Sequence, residues 1–271
     1  MTLQELTSVR SARVQAVRRL GKRSFRSRER SFLAEGPQAV REAVSSPGGV
    51  LQLLATREAA QRHQDLLDQA ATTGADVALV NAEVMTALSQ TVTPQGLVAV
   101  CPFLDVALDQ VLANGPRLVV VLADARDPGN AGTVIRTADA AGADAVVLAG
   151  STVDPYNGKC VRASAGSIFH LPLVVDVAVD GALTALRAAG LNVLAADGDA
   201  AEDLDHAADA GRLAGPTAWV FGNEAWGLPA GTRALADAVL RVPIHGRAES
   251  LNLATAAAVC LYASARAQRR R

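Results

Sequence analysis

The feature that most constrains the fold is an alternation of short, continuous apolar runs with helical patterns. Residues 118–122 (LVVVL) and 145–149 (AVVLA) contain no polar side chain. A strand with one wet face alternates apolar with polar, whereas an unbroken apolar strand needs cover on both faces. Similar runs of strand length stand at 50–55, 77–80, 97–101, 171–175, 193–196, 218–221 and 239–244. Helical patterns separate many of them, at 58–71, 82–89, 131–141 and 182–189, and a last one covers 253–266, with Asn130 as a candidate N-cap for 131–141. This order predicts an α/β protein with a largely parallel sheet. Pro102 and the Asn114-Gly115-Pro116 breaker place the domain boundary near 103–116.

Half of the residues are hydrophobic, so a sizeable core is available. The net charge of −1 hides an asymmetry. Nine Arg and Lys residues and two Glu fall in residues 1–30, and the chain ends in Arg269-Arg270-Arg271. Basic ends on an acidic body fit contact with phosphate, and they equally fit a solvated, frayed helix. The three cysteines have no metal-ligand spacing and sit in or beside apolar runs, which predicts reduced, mostly buried thiols. The four histidines are scattered, so no metal is expected. The start has no apolar leader and no run approaches about 18 apolar residues, so a soluble cytoplasmic protein without a membrane span is expected.

Three polar segments stand out. Asp127-Pro128-Gly129-Asn130-Ala131-Gly132 follows a buried strand and opens a helix. Its backbone N–H groups suit an anion, and its Pro, Gly and Asn equally suit a simple turn and cap. Arg136 follows six residues after Asn130. Farther on, Lys159 and Arg162 lie among small residues where phosphate could approach, or on a solvated helix face. The last quarter clusters Gly222, Glu224, Gly227, Gly246, Ser250 and Asn252 around two apolar runs, which reads as a ligand pocket built from loops. Ser250 also suits an N-cap for the last helix. No G-x-G-x-x-G, P-loop or G-x-S-x-G is present.

D-P-G-N-A-G-T-V-I-R-T-A-D-A-A-G (127–142), F-G-N-E-A-W-G-L (221–228) and V-P-I-H-G-R-A-E-S-L-N-L-A-T-A (242–256) resemble, in order, the three signature motifs of the SpoU family. These are AdoMet-dependent RNA ribose 2′-O-methyltransferases of the SPOUT class. The segment 161–169 is similar to the family pattern too. The resemblance implies a C-terminal α/β domain with a deep trefoil knot, a homodimer, and AdoMet held mainly by backbone groups at Gly222, Val242, Ile244 and Leu251, with Leu253 near the adenine. It implies catalytic roles for Arg136, Asn130, Glu224, Ser250 and Asn252, and no metal. The sequence around 26–43 resembles the start of a small ribosomal-protein-like RNA-binding domain.

The expected organisation is therefore a basic arm (1–27), an RNA substrate-binding domain (28–103), a linker (104–116) and an AdoMet-binding methyltransferase domain (117–271). RNA contacts are expected at Arg18, Arg19, Lys22, Arg23, Arg26, Lys159 and Arg162. Structured RNA is the expected partner, with 23S rRNA favoured over tRNA; a non-catalytic RNA-binding protein of the same fold is the alternative.

Overall fold

In the computed structural model, which describes residues 4–269, the chain forms two compact units. One comprises residues up to Leu104 together with Asp154–His170, and the other comprises Asp105–Val153 with the chain from Leu171 onward. Arg270 and Arg271 of the basic tail lie outside the described residues.

The first unit is built on five strands: β1 (Glu5–Leu6), β2 (Ser31–Glu35), β3 (Gln52–Thr56), β4 (Asp76–Val80) and β5 (Leu97–Pro102). Their order is β1-β4-β3-β5-β2. The first three in that order are parallel, while β5 runs antiparallel to β3 and β2 antiparallel to β5. Strand β2 is absent from the strands expected above. Its apolar stretch, Phe32-Leu33-Ala34, is too short for periodicity to separate strand from helix.

The basic stretch expected as an arm is part of this unit. Leu6 pairs with Val80, and Val14, Val17 and Leu20 join the core around Leu33, Leu54 and Val98. The Ala12–Arg19 helix is amphipathic: apolar residues on one side bury, and Arg18 and Arg19 on the other stay exposed. Arg26 departs from its expected RNA-contacting role, because it is 3 % exposed. Its Nη2 lies 2.5 Å from Asp154 Oδ2, and its Nη1 donates to the Leu20 carbonyl at 2.9 Å. A buried guanidinium must be paired, and this one is committed inside the fold.

The second unit carries seven strands: β6 (Leu118–Ala123), β7 (Ala145–Ala149), β8 (Leu173–Val177), β9 (Asn192–Ala196), β10 (Glu202–Asp203), β11 (Thr217–Phe221) and β12 (Ala238–Arg241). Their order is β10-β12-β9-β11-β6-β7-β8, and every pairing is parallel. The central strands are buried on both faces, as their unbroken apolar runs require. On one face Val119, Val121, Val147 and Val220 pack with Leu183 and Leu186 of the Val179–Ala188 helix. The indole N–H of the fully buried Trp219 donates at 2.8 Å to Ser264 on the closing helix, Leu253–Arg269.

Three local readings change. The expected linker contains a helix, Leu108–Ala113, and Val106 N–H donates to the Leu173 carbonyl, so from Asp105 onward this stretch belongs to the second unit. Helix Pro128–Ala141 starts earlier than periodicity suggests, and its cap is Asp127 rather than Asn130; Asp127 accepts from the Asn130 N–H at 2.8 Å. Proline at the first helical position carries no signal of apolar periodicity but is favoured there. Strand β12 ends at Arg241, so Val242 and Ile244 sit in a loop rather than a strand. Pro243 has no N–H to continue a ladder. All three cysteines are buried and none is in a disulfide, in agreement with the sequence; burial pushes the Cys260 thiol up to about 12.

Candidate functional site

Because the sheet of the second unit is parallel, the loops after β6, β9, β11 and β12 leave from one end of it. Ligands of open α/β sheets bind at that carboxyl end. A cavity of about 360 Å³ lies there, walled by Val242, Ile244, Leu251 and Leu253 and edged by Asn130, Gly222, Glu224, Ser250 and Asn252. Nine of the ten residues expected to catalyse or to hold the cofactor thus line one space. The volume falls in the usual range for a small-molecule site.

The loop after β11 is held tightly. Asn223 N–H donates to the Gly227 carbonyl at 3.0 Å and Gly227 N–H returns to Asn223 at 2.9 Å. Asn223 Nδ2 donates to the Asp124 carbonyl at 2.8 Å, and its Oδ1 accepts from Ala225 N–H at 2.9 Å. Gly222 faces this closure directly. A Cβ there would meet the Gly227 carbonyl carbon and oxygen at 2.4 Å and the Leu228 nitrogen at 2.7 Å. These are backbone atoms, so the conflict cannot be relieved by a side-chain rotation.

Three of the expected catalytic residues form one hydrogen-bonded chain. Ala254 N–H donates to Asn252 Oδ1 at 2.9 Å, Asn252 Nδ2 donates to Asn130 Oδ1 at 3.0 Å, and Asn130 Nδ2 donates to Glu224 Oε1 at 3.2 Å. Glu224 also accepts from the backbone N–H groups of Arg126 and Asp127, both at 3.2 Å. An ionised carboxylate only accepts, so the Asn130 amide must turn its NH2 toward Glu224 and its oxygen toward Asn252. Partial burial raises the Glu224 carboxyl, but the N–H donors around it outweigh that and hold it below its ordinary value. Asn252, and not Ser250, caps the closing helix; Ser250 is exposed at the cavity edge.

Arg136 is the exception. Six residues beyond Asn130 on the same helix, it sits roughly 9 Å along the axis and about 120° round it. Its side chain is exposed and does not line the cavity of its own chain. Asp197 and Gly198, just past β9, were missed by sequence reading although they line the cavity. Their position after a buried parallel strand was the available signal. Asp197 Oδ2 accepts from Arg233 at 3.2 Å. Among the described residues, no three His, Cys, Asp or Glu side chains cluster to hold a metal ion.

In the first unit, Arg18, Arg19, Lys22, Arg23 and Lys159 are exposed. Arg162 is only half exposed, with Nη1 3.7 Å from the buried Glu35 carboxylate, so part of its charge is answered internally. A larger cavity of about 800 Å³ in this unit has its Arg57 and Arg62 paired with Glu5 and Glu58. No helix among the described residues is long and apolar enough to cross a membrane.

Comparison with known proteins places these features in a family. The model of the SpoU rRNA Methylase family matches residues 117–262, and that of the MRM3-like substrate binding domain matches 11–99. The 23S rRNA (guanosine(2553)-2′-O)-methyltransferase RlmP of Bacillus subtilis is 34% identical over 263 residues, covering 96% of this chain and 98% of that protein. An AdoMet-bound rRNA methyltransferase structure from Sinorhizobium meliloti superimposes with a TM-score of 0.85 at 32% identity, covering 97% of this chain and 98% of that one. The AdoMet complex of the SpoU methyltransferase AviRb from Streptomyces viridochromogenes gives 0.83 at 32% identity, covering 96% and 100%.

Proposed function

The chain belongs to the SpoU rRNA methylase family, and from that premise we propose that it transfers a methyl group from AdoMet to a ribose 2′-hydroxyl of 23S rRNA. The observation that carries the reading is the convergence of Asn130, Glu224 and Asn252 on the apolar-walled cavity that Gly222 helps to shape. The residues fit AdoMet. Val242, Ile244, Leu251 and Leu253 offer apolar walls to an adenine, and the close approach at Gly222 leaves backbone groups at the wall. Asp197 adds a carboxylate at the edge, suited to a hydroxyl or an ammonium group. Bound there, AdoMet supplies a methyl group on a positive sulfonium, an electrophile that needs no metal.

What the protein must add is alignment of the 2′-oxygen with the methyl carbon, and a route for the hydroxyl proton. Asn130 is held at both ends of its amide, so it positions rather than accepts a proton. Arginine keeps its proton at neutral pH. Arg136 therefore acts by orienting the phosphate next to the target ribose and by favouring the developing alkoxide, with the proton passing to phosphate or water. Ser250, at the cavity edge, positions the target nucleotide.

Exposure of Arg136 away from its own cavity supports a homodimer in which Arg136 of the partner subunit completes the site. Thr255, Val259 and Tyr262 form an exposed stripe on the closing helix, a face suited to a second copy. The family's deep trefoil knot belongs to the same reading. The 242–252 loop leaves β12 near one edge of the sheet and returns to Asn130 beside β6, a path compatible with threading. The exposed Arg18, Arg19, Lys22 and Arg23, with Lys159, give the first unit its RNA-contacting face.

The test is incubation with labelled AdoMet and ribosomal RNA from a strain lacking the gene. Ribose methylation at a defined 23S position is expected. Absence of methylation of any RNA, with no AdoMet bound by calorimetry, would leave the non-catalytic RNA-binding alternative.

A further inference from the structure

The cavity has a neighbour that its hydrogen-bonded chain does not use. Trp226 is 56% exposed, one of two tryptophans in a chain with 3% aromatic residues. It stands on the closed 223–227 loop, between Glu224 and Gly227, which both line the cavity. Its ring is backed by Arg126, whose guanidinium carbon lies 5.2 Å from the ring centroid. Arg126 is itself anchored, since its backbone N–H donates to Glu224. An indole that large, left in water on a loop held by four hydrogen bonds, is presented rather than frayed.

We propose that Trp226 and Arg126 form a base-stacking subsite for the substrate RNA, holding the base of the target nucleotide or its immediate neighbour beside the methyl donor. The proposal rests on the methyltransferase reading above and adds to it the point where RNA is gripped. The chemistry favours a nucleotide over an apolar protein surface. Every base has a π-face to stack on an indole, and a guanidinium beside the ring meets the adjacent phosphate as well as the ring itself. An apolar partner would have to bury the Arg126 charge instead. The first unit then supplies affinity for the large RNA, and the indole fixes which nucleotide lies at the cavity.

The two tryptophans make the test direct, because Trp219 is fully buried and Trp226 is open to a solution quencher. Unmodified 23S rRNA transcribed in vitro is titrated onto the dye-free protein, with AdoMet present, while acrylamide quenching of tryptophan emission is followed. The expected result is loss of the acrylamide-accessible component as RNA binds. Trp226→Ala should raise KM for the RNA roughly fivefold to a hundredfold, Trp226→Phe should restore most of it, and AdoMet affinity by calorimetry should stay within about threefold. Emission that remains accessible at saturating RNA overturns the proposal. So does a Trp226→Ala protein that methylates normally, or one that loses activity only because sedimentation shows it has changed oligomeric state. Failure of the wild-type protein to bind AdoMet overturns the methyltransferase reading instead, and acrylamide protection by RNA is read independently of it.

Discussion

Asn130 donates its side-chain N–H to Glu224 across 94 positions of sequence, at 3.2 Å. The contact joins the loop after β6 to the loop after β11, and Asn252 extends it to the start of the closing helix. Three segments far apart in the chain are thereby fixed around one cavity. The coupling should be measurable. In a double-mutant cycle, Asn130→Ala and Glu224→Ala should be non-additive in AdoMet affinity or unfolding free energy by about 0.5–1.5 kcal/mol. Strictly additive effects would mean that the contact carries no energy in solution.

The state of Glu224 sets a pH window. Its native value lies below the ordinary 4.5, so the unfolded chain takes up the proton first. The contribution of this carboxylate is then complete above about pH 5 and is lost as pH falls through the lower native value. The difference in urea stability between the wild type and Glu224→Ala should be flat from pH 5 to 8 and shrink in acid. A difference that grows in acid would contradict the sign.

Gly222→Ala is expected to remove AdoMet binding while the rest of the fold survives. The added methyl would strike backbone at 2.4 Å, and overpacking of this kind costs about 1–3 kcal/mol. Calorimetry with AdoMet and a melting curve separate the two effects. Unchanged affinity would show that the loop yields.

Arg136→Ala should abolish methyl transfer yet leave AdoMet affinity within about threefold, under ~0.7 kcal/mol. Mixing it with Gly222→Ala should restore activity in mixed dimers, since one cavity then has intact walls and an intact Arg136 from the other chain. No recovery on mixing would place Arg136 in its own subunit's reaction.

Arg26→Ala should destabilise the first unit by about 3–5 kcal/mol, the usual result of stranding one member of a buried pair. Arg23→Ala, exposed on the Arg23–Glu29 helix that also carries Arg26, should change stability by no more than about 0.5 kcal/mol and should instead flatten the salt dependence of RNA binding. Equal destabilisation by the two changes would put Arg26 back on the surface.

The sequence by itself determined the central strands of the second unit, β6, β7, β9 and β11, because two buried faces leave an apolar run that nothing else requires, whereas the two-residue acidic edge strand β10 left no such mark. It also determined the family, through three motifs in order. Within the site, it pointed to Gly222, Glu224, Ser250 and Asn252 through glycines and polar residues that a core would not need. Tertiary structure alone decided the rest. Arg26 and Arg23 are alike as letters, and only the Asp154 carboxylate 128 positions away makes one of them internal. Asp197 reads as one acid among many until parallel pairing brings the end of β9 beside β11. The basic segment near the start reads as an arm because charge is local and visible, while the pairing of Leu6 with Val80 depends on contacts more than seventy residues apart. Local chemistry is written in sequence order; the distance between remote side chains is set by packing, and there the site is made.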